Sequence, residues 1–418
     1  MTAYDGAAKR LVLMCIGLFV LLALLGDGLM PTLEGFIRLQ SHAARLINDY
    51  TVIGGSGGAL LNAAVMGLLA LILVLASGVR LSGPTMAGIF TIMGFSLFGK
   101  TPVNSVPIVL GVFIASRIAR KPFKNYLLMA LFGTALGPIV SFIFFESGLS
   151  GIPAIVTGIA AGVLSGIVLP ALGMAMLRMH EGFNLYNIGF TCGFFGLFAA
   201  AVLAGSNRDI AITVIWNSEA RAELMLLTPL VSALFIAEGL IQDGRNIFKN
   251  LRRIMNLSGR LPSDFMDLVS PGAALVNAGL LGLAGSLYLF LIHADINGPV
   301  IGGLLTVIGF ATFGKHAKNC WPVALGVIAA TLVFGKSLTA PGPVLALLFG
   351  TTLAPLAGEF GPFVGIAAGF VHLLMVERTA AFHGGLDLYN NGFAGGLTAT
   401  LFVAIIQWVR SFKERKDE

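Results

Sequence analysis

The chain reads as an all-α integral membrane protein built from two inverted repeats, and three observations predict this. Of its 418 residues, 56% are hydrophobic and 11% charged, against about a quarter charged in a soluble domain. Apolar runs long enough to span a bilayer recur along its length. Residues 57–116 align without a gap on residues 272–331, an offset of 215, with 22 of 60 positions identical, which marks a duplicated unit. The same figures exclude other classes. A soluble multidomain enzyme is not this poor in charge. An outer-membrane barrel would need alternating strands of about ten residues, which the sequence lacks. The net charge of +6 fits basic cytoplasmic loops rather than nucleic-acid binding. Cys15, Cys192 and Cys320 have neither disulfide nor metal spacing and read as packing residues.

The first apolar segment, 11–30, follows Lys9 and Arg10 and is followed by no small-x-small cleavage site, so it reads as a retained helix. Residues 31–50 carry Leu33, Phe36, Ile37, Ala43, Leu46 and Ile47 at helical spacing opposite Arg38 and Arg45, as in a surface helix. Each repeat then holds six apolar segments, which in repeat 1 are 57–79, 84–99, 104–119, 126–145, 152–177 and 187–204. A connecting helix at 224–241 and an amphipathic, basic linker at 242–269 join the two. The expected organisation is therefore an N-terminal transmembrane helix and surface helix (1–51), repeat 1 (52–205), the connecting helix and linker (206–269), repeat 2 (270–410) and a cytoplasmic tail (411–418).

Counting every segment as crossing gives up to 14 membrane segments with both termini inside. Inside loops then hold 19 of the 26 Lys and Arg residues, as the positive-inside rule asks. The single connecting helix makes the repeats antiparallel, an arrangement typical of transporters with the site at the repeat interface. The second and third segments of each repeat are short enough to form re-entrant hairpins instead, which would leave the remaining topology unchanged.

Two motifs recur in both repeats. Phe98-Gly99-Lys100, then Asn104 and Pro107, matches Phe313-Gly314-Lys315, then Asn319 and Pro322. A helix start capped by asparagine beside an ammonium provides N–H donors, a dipole and a charge for an anion. The competing reading is a pair of snorkelling lysines at the interface. Leu185-Tyr186-Asn187, then Gly189-Phe190, matches Leu388-Tyr389-Asn390, then Gly392-Phe393. There Asn opens a helix, Tyr reaches a polar partner, and glycines allow close helix approach. His180 and His383 read as loop histidines at a membrane face, His372 as a core residue and Glu238 as a snorkelling one. Asn62 and Asn277 lie near the starts of matching segments. No metalloprotease, P-loop or nucleophile-elbow motif occurs.

On these stretches the chain resembles a bacterial membrane-protein family catalogued only as a domain of unknown function. More distantly, each half is similar to a urea-transporter half, with 101–107 and 316–322 in place of its first helix-opening motif and 182–189 and 384–392 in place of its second. The Leu-Pro-x-x-Thr-x-Pro-Phe stretch of the urea filter is absent and the lysines are additional, so the resemblance implies the permeation architecture rather than the solute.

The expectation is a transporter or channel for a small polar solute, anions included, sited between the repeats in the cytoplasmic membrane. Lys100, Lys315, Asn104, Asn319, Tyr186, Asn187, Tyr389 and Asn390 are its candidate binding residues. No catalytic residue, metal, cofactor or nucleic acid is expected; the lipid bilayer is, and a homo-oligomer is left open. The alternatives are a urea-like channel for neutral amides, with structural lysines, and a membrane-embedded enzyme or assembly factor.

Overall fold

The computed structural model describes residues 3–206 and 213–417. Part of the polar loop expected after residue 205, including Arg208, and the last residue of the charged tail lie outside the described residues. All regular structure among the described residues is helical. The first half contains α1 (Ala3–Asp27), α2 (Leu29–Gln40), α3 (Tyr50–Ile53), α4 (Gly55–Ala76), α5 (Gly83–Phe95), α6 (Pro102–Ile118), α7 (Leu127–Gly133), α8 (Gly137–Phe145), α9 (Gly151–His180) and α10 (Asn187–Gly205). The second contains α11 (Ala222–Asp243), α12 (Ile247–Ile254), α13 (Phe265–Leu268), α14 (Pro271–Leu291), α15 (Gly298–Ala311), α16 (Ala317–Val333), α17 (Pro341–Gly350), α18 (Ala354–Phe360), α19 (Pro362–Phe382) and α20 (Asn390–Asp417). Ten helical stretches among the described residues are long and apolar enough to cross a membrane.

The two series run in the same order. The N-terminal helix α1 has its counterpart in the connecting helix α11, and the surface helix α2 in the linker helix α12. The stripe expected over 31–50 is shorter than the sequence suggests. Helix α2 ends at Gln40, so Ala43, Leu46 and Ile47 lie beyond it and pack as a buried turn. The correspondence reaches upstream of Val52 and Ser270. Asp49 caps α3 by accepting from Thr51 N at 2.9 Å, and Asp264, 215 residues later, caps α13 by accepting from Met266 N at 3.0 Å. Each aspartate also reaches into the other half. Asp264 accepts from Gly83 N at the start of α5, 3.2 Å away, and Asp49 accepts from Gly298 N at the start of α15.

Helices α5 and α15 have 13 and 14 residues, about 20 Å of rise, well short of a ~30 Å hydrocarbon core. Both are almost wholly buried and pack on each other. A Cβ at Gly94 would stand 2.8 Å from Gly302 O, and one at Gly309 would stand 3.0 Å from Ala87 Cα. The second crossing between halves is α10 on α20. A Cβ at Gly189 would meet Gly392 Cα at 3.0 Å, and one at Gly392 would meet Gly189 Cα at 2.8 Å. Only glycine permits that approach.

Segments expected as single helices at 126–145 and in its counterpart are broken by short 3-10 turns, Thr134–Leu136 and Thr351–Leu353. Pro138 and Pro355 follow these turns and have no N–H to continue the ladder. Three side chains differ from expectation. Glu238 does not snorkel: it is 3% exposed and pairs with Arg10, Nη2 to Oε1, at 2.6 Å, because an unpaired buried carboxylate would be costly. His180 and His383 are fully buried rather than exposed at a membrane face.

Candidate functional site

The site begins with the two turns that join α5 to α6 and α15 to α16. Asn62 Nδ2 donates to the carbonyls of Ser96 and Lys100 at 2.7 and 2.8 Å. Asn277 Nδ2 repeats this on Ala311 and Lys315, both at 2.8 Å. These carbonyls lie at or just past helix ends, where intrahelical donors run out. Each turn then opens a helix through a reciprocal capping box. Thr101 N donates to Asn104 Oδ1 at 3.0 Å, and Asn104 N donates to Thr101 Oγ1 at 3.4 Å. His316 takes the threonine's place, accepting on Nδ1 from Asn319 N at 3.2 Å. The N-caps are thus Thr101 and His316, with Asn104 and Asn319 at the third helical position. The asparagine amides are turned inward, onto Gly99 O at 2.9 Å and Gly314 O at 3.0 Å.

Lys100 and Lys315 are fully buried, which excludes the snorkelling arrangement. Lys100 Nζ donates to Thr134 Oγ1 at 2.7 Å and to Tyr389 OH at 2.5 Å. Lys315 Nζ donates to Thr351 Oγ1 at 2.8 Å and to Tyr186 OH at 2.5 Å. Each lysine therefore bonds a threonine of its own half and a tyrosine of the other half. The ammonium groups also lie 4.4 Å and 4.6 Å from the ring centres of Tyr389 and Tyr186. Burying an ammonium costs several kcal/mol. Two bonds from a charged donor, about 1.5–3 kcal/mol each, and a cation–π contact of up to about 2 kcal/mol are of the size needed to offset it.

Behind the tyrosines, the breaks between α9 and α10 and between α19 and α20 are built alike. His180 accepts from Asn184 N at 3.2 Å and its Nε2 contacts Asn187 Oδ1 at 3.0 Å. His383 accepts from Asp387 N at 3.3 Å and contacts Asn390 Oδ1 at 3.0 Å. Asn187 and Asn390 also donate to carbonyls of the preceding helices, Gly173 and Val376. They lock the loops that aim Tyr186 and Tyr389. His372 is buried and meets Asn391 Oδ1 at 3.1 Å.

The tyrosines face a common cavity of about 650 Å³. Its inner wall is made of matched residues: Thr91 and Thr306, Phe95 and Phe310, Phe132 and Phe349, Tyr186 and Tyr389. Part of its lining is not matched. Arg178, Glu181, Arg260 and Pro262 line one end, and Arg260 pairs with Glu181 at 3.4 Å. The corresponding Ala381, Gly384, Arg45 and Ile47 take no part in the wall. There the segment 213–218 covers the molecule. Ile215 N donates to Ile47 O at 2.9 Å, Asn217 N to Asp49 Oδ2 at 3.2 Å, and Trp216 Nε1 to Asp295 Oδ2 at 2.8 Å. Burial pushes the carboxyls of Asp49 and Asp264 up to about 6, against the pull of the N–H groups they accept.

Of the expected site residues, Tyr186, Tyr389 and Asn187 line the cavity. Lys100 and Lys315 stand directly behind the tyrosines, and Asn104, Asn319 and Asn390 are structural supports. Sequence reading missed Thr134 and Thr351, although Gly133-Thr134-Ala135-Leu136-Gly137-Pro138 and Gly350-Thr351-Thr352-Leu353-Ala354-Pro355 repeat visibly. It also missed the aromatic wall, whose phenylalanines look like any apolar helix residue.

Fold and site together define a multi-pass helical membrane protein with an internal cavity walled by both halves. The chain belongs to the family described as protein of unknown function DUF1576, which matches residues 30–205 and 243–408. Neither a curated protein nor a solved structure matches it.

Proposed function

We propose that this protein is a transporter that carries a small organic solute, with an apolar body and an anionic head, across the cytoplasmic membrane. The observation that carries the reading is a cavity walled by matched residues of both halves, with the charged and partly exposed Arg178, Glu181 and Arg260 on one side only, which we take as its mouth. A channel is open along its length; a carrier built from inverted repeats alternates between two such mouths. The halves are related by a pseudo-two-fold axis in the membrane plane, and α5–α6 and α15–α16 form re-entrant hairpins whose tips carry the lysines.

The ion pairs support this topology. With both termini inside, each ion pair among the described residues joins two residues that the count puts on one side, including Arg80–Asp267, Arg260–Glu181 and Lys336–Glu377. The cavity mouth then faces the cytoplasm. Each tyrosine hydroxyl, having accepted a lysine N–H, keeps its own proton to donate to a solute acceptor. Two hydroxyls polarised by buried ammonium groups suit an anion, and the phenylalanines suit an apolar body. No observation favours a urea-like channel: the wall is aromatic.

Two measurements test the reading. Cysteines at Lys121 and Arg252 should label from the cytoplasm and one at Lys336 from outside; external labelling at Arg252 sinks the topology. In proteoliposomes, a panel of small organic anions and neutral amides, run with and without ion gradients, should reveal saturable uptake of an anion. Uptake of neutral amides alone, without saturation, would replace the carrier by a channel.

A further inference from the structure

The two loops that aim the tyrosines differ at one position. In the first, Asn184 Oδ1 accepts from Tyr186 N at 3.1 Å and from Thr352 Oγ1 at 2.5 Å. Its Nδ2 donates to Gly392 O at 3.1 Å. Every polar atom of that side chain is engaged. The residue 203 positions later is Asp387. It is fully buried, and its Oδ1 accepts from Tyr389 N at 2.9 Å. Its Oδ2, in the place of the Asn184 amide nitrogen, has no hydrogen-bond partner among the described residues. The threonine that donates to Asn184 is also replaced: where Leu185 N meets Thr352 O, Leu388 N meets Ala135 O, and alanine has no hydroxyl. The Asp387 pocket therefore keeps the donor position of an amide and loses a donor that would hold a carboxylate.

We propose that Asp387 is a reversible proton site that sets the net charge beside Lys100. This rests in part on the carrier reading, since Lys100 acts on the solute through the Tyr389 hydroxyl. When a proton is bound, an O–H bond forms at Oδ2 and the side chain reproduces the hydrogen-bonding form of Asn184. The 203-residue correspondence makes the carbonyl of Gly189 its acceptor. Asp387 is then neutral and Lys100 keeps one uncompensated positive charge to attract an anion. When the O–H bond breaks, the proton leaves to water, the electron pair stays on the carboxylate, and Asp387, within electrostatic range of Lys100, cancels that charge. The other titratable groups facing Asp387 are the Cys192 thiol on α10, the His383 ring and the Tyr389 hydroxyl in its own loop, and the Tyr186 hydroxyl beyond Tyr389. Lys315 has Asn184 in the corresponding place and no such switch. Anion and proton are thus taken up together at one half of the site, and proton-coupled symport follows.

Infrared difference spectra of the full-length protein in lipid, recorded as pH is varied, read the C=O stretch of a protonated carboxylic acid without any solute. We expect a band that titrates with pH, disappears in Asp387→Asn, and persists at a shifted frequency in Asp387→Glu. The asparagine variant copies Asn184 and so retains the fold; the glutamate variant serves should it not. Lys100→Gln should move the titration midpoint to higher pH, because removing the cation disfavours the carboxylate. A titrating band unchanged in Asp387→Asn, the absence of any Asp387-dependent band, or a midpoint unmoved by Lys100→Gln would overturn the proposal. A titrating Asp387 band in a protein that moves no anion would uphold the proton site and sink the carrier reading alone.

Discussion

The middle of this molecule and its two ends are built on different rules. At the middle, Thr91 and Thr306, Phe95 and Phe310, and Tyr186 and Tyr389 wall one cavity in matched pairs, and each tyrosine has a buried lysine of the other half behind it. At one end the cavity wall includes Arg178 and Arg260; at the other, residues 213–218 are bonded across Ile47, Asp49 and Asp295. The covering segment lies between the halves in sequence, so it has no duplicate. Duplication supplies the matched residues around the cavity, while the unduplicated connecting chain makes its two ends differ.

The strongest way to break the comparison is at the centre. Lys100→Gln and Lys315→Gln should each lower anion uptake at least about tenfold, roughly 1.4 kcal/mol, with little change in folding. If one lysine alone matters, the centre is not functionally symmetric. Loss of less than about twofold for both would make the lysines structural, since a charge with no differential interaction with solute shifts nothing. At the closed end, Asn217→Ala removes the side-chain bonds from Nδ2 to Thr51 Oγ1 and from Glu219 N to Oδ1, each worth about 1 kcal/mol. A reporter cysteine at Asn48 should then label severalfold faster from outside, while one at Ser263 should not change.

Asp49 and Asp264 sharpen the comparison through pH. Each has a folded value of about 6, above the ordinary 3.8, so the folded protein holds the proton more tightly than the unfolded chain. The resulting stabilisation is complete below the ordinary carboxylate value and is lost as pH rises through about 6. Thermal unfolding in detergent should therefore show stability falling over that window. Asp49→Asn should flatten the slope more than Asp264→Asn, because Asp49 is the more deeply buried. Equal slopes in both variants and the parent would discard this account. The smallest effect belongs to the open mouth. Arg260→Gln breaks a half-exposed ion pair with Glu181 and should cost no more than about 1 kcal/mol of stability, measured by the same unfolding assay.

Much of the site was legible because it is duplicated. Lys100 with Lys315, and Tyr186 with Tyr389, stand out as polar residues repeated in apolar surroundings. Their partnership was not legible. Lys100 and Tyr389 are 289 positions apart, and nothing in either motif says that a lysine of one half meets a tyrosine of the other. The capping asparagines are legible, but they stand three positions further into the helix than the N-cap role the sequence suggests, because Thr101 and His316 share no residue type while performing that role. The reach of the repeat was underestimated for a similar reason. Asp49 and Asp264 keep their function while nearly everything around them has changed, so identity fades before geometry does.

Composition and periodicity by themselves determined that this chain crosses a membrane as helices, since apolar length and lack of charge permit little else where backbone groups must be satisfied internally. The internal repeat determined that two similar bodies exist. Only the tertiary structure decided that their motifs interlock, that the lysines are buried behind tyrosines, that Asp387 lacks the partners Asn184 has, and that one end is covered. Those features depend on which surfaces meet across hundreds of residues. A local pattern of polar and apolar residues carries no record of that meeting.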